Sequence, residues 1–344
     1  MENTVNLAPH KSSARIEWVD LCKAVGICLV VIGHFLTRSE AKTIIYSFHV
    51  PFFFVLSGFV FNEKQHASIF LKKKLNTLIL PYIIYVFFSL PYYFLPYYFF
   101  KQNKISVNEL AQRVFMIEGA TIWNSPLWFL PVMFSVQLIS YLIFKYCPRM
   151  IHFLSIPVFM VVAYALYTCD LFIKINRLNI FGLNKAVFLF PFFAAGKLLK
   201  ECKLIELITK KIKYPLICGL ALFMINICVV HFVNMPSIGI YTFDLSKFWD
   251  LILTGIIGSF SVIIMSSSSK INLIALFKII NNHTIAIMCT HYYFLMPLLP
   301  IINRYKSRPL SILIAITVIL LYSLFFWVKD KAMDKFITPL LTRP

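Results

Sequence analysis

The sequence predicts an all-α fold, a polytopic integral membrane bundle of about ten transmembrane helices. Three observations carry this. Of 344 residues, 60% are apolar, 17% aromatic and only 14% charged, whereas a soluble domain is about 45–50% apolar and about 25% charged. Mean hydropathy is +0.79. The apolar residues also fall into runs close to the ~20 residues that carry a helix across a bilayer. This composition excludes a disordered chain and argues against a soluble globular enzyme.

The runs occupy, in order, about 21–37, 44–61, 78–100, 126–147, 152–173, 184–200, 214–233, 248–268, 281–302 and 309–328. Several are short or carry proline: Pro51 in the second, Pro81, Pro91 and Pro96 in the third, Pro126 and Pro131 in the fourth. Such helices survive in a bilayer when neighbouring protein satisfies their backbone. No connector is long enough for a soluble domain, so residues 1–344 are read as one membrane domain, with tails at about 1–14 and 329–344. The first run has no small-residue cleavage site, so it is expected to stay as a span.

Lysine and arginine set the orientation. With ten spans, twenty of the 33 basic residues lie on the side of the N-terminus and twelve on the other, with Lys23 inside the first span. The positive-inside rule then places both termini in the cytoplasm. The net charge of +19 does not imply nucleic acid as a partner. The cations sit in short loops, and neither a basic helix nor a nucleic-acid motif occurs. The lipid bilayer is the expected partner, and a homo-oligomer is compatible with the sequence. Eight cysteines, none in C-x-x-C spacing and most within apolar runs, read as free thiols. No metal site is expected.

Ionisable residues at membrane depth are costly and therefore functional candidates. The first span holds Asp20, Lys23 and His34. Lys23 and His34 are eleven residues apart, which on a helix leaves them about 20° apart on one face and about 16 Å apart along the axis. Asp20, one turn before Lys23, is placed to pair with it. A cation–imidazole site satisfies this pattern, and so does a snorkelling lysine with a histidine at the outer end of the span.

The second span opens Tyr46-Ser47-Phe48-His49-Val50-Pro51. The first two spans are joined by a short connector and should be antiparallel neighbours, which brings His34 and His49 to one depth. Two such histidines suit a general base with an orienting or acidic partner. They also suit two metal ligands, but no third ligand follows at a recognisable spacing. Ser57-Gly58 lacks the context of a nucleophilic serine and reads instead as a close helix crossing.

The next loop ends in Lys72-Lys73-Lys74, which is either a topology signal or an electrostatic seat for phosphates. Trp128, at the outer start of the fourth span, is an interfacial aromatic or a stacking surface for an acceptor. His283 reads as structural, whereas His291, near mid-depth in the ninth span, remains open between a structural and a functional role.

Five segments together resemble the integral-membrane acyltransferase-3 family, closest to its branch of fucose 4-O-acetylase-like and exopolysaccharide O-acyltransferases. They are Val19-Asp20-Leu21-Cys22-Lys23 with Gly33-His34, Phe48 to Phe59, Leu127-Trp128-Phe129-Leu130, Phe192 to Leu199, and His283 to His291. The family's characteristic pair is a basic residue, usually arginine, and a histidine with ten residues between them. Here the positions are Lys23 and His34, and lysine keeps the charge but loses the bidentate fork.

The resemblance implies transfer of an acyl group, most simply acetyl, from acyl-CoA to a hydroxyl of a cell-envelope glycan or lipid-linked sugar in a bacterial inner membrane. It implies acetyl-CoA or another acyl-CoA as co-substrate and no bound cofactor. His34 would be the general base, with a covalent acyl-His34 intermediate as the variant. His49 would orient His34, serve the oxyanion or hold the acceptor. Lys23, Lys72, Lys73 and Lys74 would hold the donor, with Asp20, Trp128 and His291 supporting the acceptor or the site. A transporter or flippase for glycan intermediates is the alternative, since intramembrane histidines and broken helices suit it equally.

Overall fold

A connector of four residues joins the first two helices, α1 (Glu17–Phe35) and α2 (Glu40–Phe59), so they must run antiparallel and in contact. Ser39 closes the turn by accepting a hydrogen bond from the Lys42 backbone N–H at 3.3 Å, an N-cap that satisfies one orphan donor of α2. In this computed structural model the described residues are 16–100, 124–168, 180–233, 247–268 and 275–333, with isolated positions between 106 and 114.

The remaining helices are α3 (Ala67–Lys74), α4 (Leu80–Phe100), α5 (Phe129–Tyr146), α6 (Arg149–Thr168) and α7 (Leu183–Glu201). They continue with α8 (Leu204–Lys211), α9 (Pro215–Phe232), α10 (Phe248–Ser268), α11 (Ala275–Asn282), α12 (Thr284–Tyr305) and α13 (Arg308–Ala332). A π-helical turn, Leu75–Ile79, fuses α3 to α4. It lies directly before Pro81, whose ring nitrogen offers no donor to the preceding turn. A 3-10 turn, Ser125–Trp128, with proline in its first turn, leads into α5. No strand occurs among the described residues.

All ten expected runs fall on helices as far as they are described, residues 169–173 of the fifth lying outside the described residues, with two differences of detail. The third helical rod begins at Ala67, well before the apolar run, because the lysines of α3 are good helix formers that hydropathy does not register. The ninth run breaks at His283, where α11 ends and α12 begins. Nine helical segments among the described residues are long and apolar enough to cross a membrane. The tenth, α7, carries Lys185, Lys197, Lys200 and Glu201. Its middle is nonetheless buried against α2, α5 and α6.

α2 is the central strut, packed on α1, α7 and α10. The tightest contact is backbone on backbone. A Cβ at Gly58 would lie 1.9 Å from the Phe193 carbonyl oxygen, and one at Gly196 would lie 1.9 Å from the Val55 carbonyl oxygen. The crossing expected at Ser57-Gly58 is therefore reciprocal, with glycine on both helices, the small-residue packing that lets membrane helices approach. Phe48, Phe52, Phe54, Phe188, Phe190 and Phe193 fill the interior around it. The outward faces of α4, α6, α9 and α13 are apolar, with Phe87, Val161, Ile217 and Leu313 exposed. That is the surface a hydrocarbon solvent requires.

The α2–α7 crossing makes the first prediction. Gly196→Ala cannot be accommodated without separating two main chains. It should cost about 3 kcal/mol or more, the upper range for overpacking. Thermal unfolding of detergent-purified protein should show a clearly lowered midpoint, whereas Gly255→Ala, which meets side chains only at 2.9 Å or more, should cost less.

Candidate active site

One face of α1 carries Lys23, Ile27, Val30 and His34 at helical spacing, and all four line a single cavity of about 650 Å³. That volume is within the range of small-molecule sites. His49, Phe53, Leu56, Ser57 and Val60 of the α2 region line it from a second side, and Met133 and Gln137 of α5 from a third. Trp128, Lys74, Tyr85 and the start of α12 complete the wall.

His34 is the best-defined group. Its Nδ1 lies 3.0 Å from the Tyr46 hydroxyl and 3.2 Å from the Tyr292 hydroxyl. Tyr46 comes from α2 and Tyr292 from α12, so three helices fix one imidazole. His49 instead donates from Nδ1 to the Ile45 carbonyl at 2.9 Å, which leaves Nε2 as its basic nitrogen. The two histidines do not pair: the Tyr46 ring stands between them, 5.6 Å from His34 and 4.9 Å from His49 by ring centroids. His291 is fully buried behind His34, with ring centroids 5.1 Å apart. Its Nδ1 donates to the Ile287 carbonyl at 3.0 Å, and its Nε2 has no hydrogen-bond partner.

Two cations, Lys23 and Lys74, reach the cavity near the start of α12. Asp20 pairs with Lys23 at 3.9 Å. Lys72 and Lys73 point away and are exposed. His283 also lines this end, stacked on Phe326 at 4.0 Å and bonded to Asp330 at 2.9 Å. Since α1 and α12 run side by side through the His34–Tyr292 contact, and Asp330 ends α13, the described chain starts and finishes on one face of the bundle. Trp128 is buried rather than interfacial, 6% exposed. Among the described residues no group of three or more histidines, cysteines or carboxylates is placed to hold a metal ion.

The loop after α2 is tied down, which fixes the approach to Lys74. Lys197 of α7 bonds Glu63 at 2.6 Å and Glu201 at 3.3 Å. The Gln65 carbonyl accepts from the Tyr141 hydroxyl at 2.8 Å and from Lys145 at 2.7 Å. Tyr141 in turn stacks on Phe70 of α3 at 4.2 Å. Partial burial pushes the Glu63 carboxyl up, but the hydrogen bond and charge of Lys197, with Lys64 nearby, outweigh it and hold the group below the ordinary glutamate value.

A family model described as an acyltransferase domain, acyltransferase-3, matches residues 16–328. The chain belongs to the acyltransferase-3 family. It is a multi-pass membrane acyltransferase, and the match runs from the first helix of the bundle to near the end of the last. No curated protein and no solved structure matches it.

In this acyltransferase the cavity gathers Lys23, His34, His49, Lys74 and Trp128. Asp20 stands beside it through Lys23, and His291 stands behind it. Tyr46 and Tyr292 escape a reading of the sequence for ionisable groups, since tyrosine is common in apolar runs. Antiparallel pairing across the 36–39 turn does put Tyr46 at the level of His34. Nothing local marks Tyr292, which arrives from 258 residues away.

The mouth yields a pH prediction. A carboxyl held below its ordinary value stabilises the fold above the unfolded pKa, about 4.3 for glutamate, and loses that contribution as pH falls through the folded value. Glu63→Gln should therefore lower the unfolding midpoint at pH 7. The gap from wild type should shrink steadily below about pH 4.5, as read by thermal unfolding across a pH series.

Proposed function

We propose that this acyltransferase moves an acyl group, most simply acetyl, from acyl-CoA to a hydroxyl of a cell-envelope sugar, with His34 as general base. The observation that carries the reading is the α1 stripe, which lines one cavity with a cation at one end and an oriented imidazole at the other. The donor's phosphates would meet Lys23 and Lys74, and its pantetheine arm would run along Ile27 and Val30 towards His34. The Lys23 side is then the cytoplasmic side, where acyl-CoA is made, and the first and last described residues lie there, in keeping with the loop charges.

The chemistry follows from the ring nitrogens. Nε2 of His34 is basic only when the ring proton resides on Nδ1. Nδ1 then donates to the hydroxyl oxygen of Tyr46 or Tyr292. As the acceptor's oxygen attacks the thioester carbonyl, its proton passes to Nε2. The tetrahedral intermediate collapses, the C–S bond breaks, and the CoA sulfur leaves with the proton returned by the imidazolium. Among the described residues no carboxylate touches His34, so tyrosine hydroxyls orient the base where hydrolytic triads use an aspartate. The basic Nε2 of His49, on the same cavity, is available to accept a hydrogen bond from a second sugar hydroxyl. Trp128 offers a ring for sugar stacking.

The direct test is acyl transfer by protein in nanodiscs, with radiolabelled acetyl-CoA and an envelope glycan extract. Wild type should label glycan. His34→Ala should fold normally and lose at least about 100-fold in rate, the lower range for general-base catalysis. Equal labelling by the variant would remove His34 from the chemistry, and thioester left intact by folded wild type would favour a carrier. Tyr46→Phe with Tyr292→Phe should lower kcat about tenfold or more at near-constant KM, because the base keeps its place but loses its tautomer control.

Lys23→Glu places a negative charge where the reading puts phosphates. It should raise the KM for acetyl-CoA about tenfold or more, equivalent to about 1.4 kcal/mol. The effect should shrink at high salt, and steady-state kinetics at two ionic strengths would read it.

A further inference from the structure

Gln137 lies deep in α5, where a lone carboxamide has no obvious business. It is 8% exposed, and its Oε1 has no hydrogen-bond partner. Its amide nitrogen makes no hydrogen bond among the described residues either, but unlike the oxygen it is not fully buried, and the residue lines the cavity. Many hydroxyls in this bundle satisfy themselves locally. The hydroxyls of Thr254, Thr290, Ser311 and Ser323 each bond a carbonyl one turn back. A buried amide oxygen left without a donor costs on the order of 1–3 kcal/mol, which a leucine at the same place would not.

Its position says what relieves that cost. Leu130, Met133 and Gln137 follow one another along the cavity wall at helical spacing, and Gln137 is the one polar member. It lies about 12 Å along the axis from Phe129, at 1.5 Å per residue, on the side of the loop that Tyr141 bonds one turn later. Gln137 thus borders the cavity between its cationic mouth, with Lys74, and its apolar shaft. Ser57 of α2 lines the same cavity. Unlike the hydroxyls named above, it makes no hydrogen bond among the described residues.

From this we infer an amide-recognising subsite at Gln137, which takes a secondary amide of the pantetheine arm. A secondary amide presents one N–H and one C=O, and a carboxamide presents the complementary acceptor and donor. No sugar hydroxyl is needed there, since the acceptor's partners cluster around His34. The inference rests on the acyl-CoA reading of the cavity. It adds that the donor is selected by its arm as well as by its phosphates, through a residue that transfers no proton.

The test compares donors in nanodiscs. Wild type and Gln137→Leu are given acetyl-CoA, S-acetyl-N-acetylcysteamine, which keeps one amide, and S-acetyl-2-mercaptoethanol, which has none. In Gln137→Leu the KM for acetyl-CoA is expected to rise about tenfold, about 1.4 kcal/mol. The KM for at least one amide-bearing donor must rise while that for the amide-free thioester stays within twofold of wild type. Gln137→Met serves as a second apolar replacement should the leucine variant not be monodisperse. Equal KM values for variant and wild type with acetyl-CoA, or an equal rise for all three donors, would overturn the subsite and leave the acyl-CoA reading standing. Wild type inert towards every thioester would overturn that reading, and the subsite with it.

Discussion

A bilayer offers no hydrogen bonds, and this one constraint organises the molecule. Every polar group withdrawn into the bundle must find a partner inside the protein or bear the cost of having none. Many serine and threonine hydroxyls turn back on their own helices, as those of Thr254, Thr290, Ser311 and Ser323 do. Lys197 is ringed by two carboxylates, and His49 and His291 each close one nitrogen on a main-chain carbonyl. What is left open is then informative. On the cavity wall, the polar edges left unanswered among the described residues include Gln137 Oε1 and Asn281 Oδ1.

Helix packing makes that cavity possible. The glycine-on-glycine crossing of α2 and α7 draws two main chains together. On the far side of α2, the gap towards α4 and α5 is left for the cavity. Three helices then converge on His34: its own α1, α2 through Tyr46 and α12 through Tyr292. An imidazole held by two hydroxyls from different helices has little rotational freedom, which is the preorganisation a general base requires.

Much of this was legible in the sequence, for reasons that differ by residue. The helices were readable because hydropathy over twenty residues is a strong signal. The Lys23–His34 stripe was readable because helical periodicity fixes which residues share a face, and a short turn fixed the α1–α2 pairing. What failed was whatever depended on long-range packing. Tyr292 and Gln137 are ordinary residues in apolar runs until distant helices are set beside them. Lys72 and Lys73 have the same local chemistry as Lys74, and only the turn of α3 decides which of the three reaches the cavity. α7 carries more charge than the other spans, yet its run was legible at 184–200, and its middle is among the most buried stretches of the bundle because its lysines lie towards the helix ends or pair with carboxylates.

The bridge between Glu63 and Lys197 spans 134 positions of the chain, and that separation sets an order in time. When a ribosome has delivered the first two helices, Glu63 and Gln65 are present but none of the side chains that hold them has been made. Tyr141 and Lys145 come with α5, and Lys197 only with α7. Tyr292 reaches His34 later still. A partly inserted chain therefore has an open mouth and an untethered His34. His34 acquires its fixed geometry only once nearly the whole protein is in the membrane, so a truncated product of interrupted synthesis would hold its cavity imidazole unanchored.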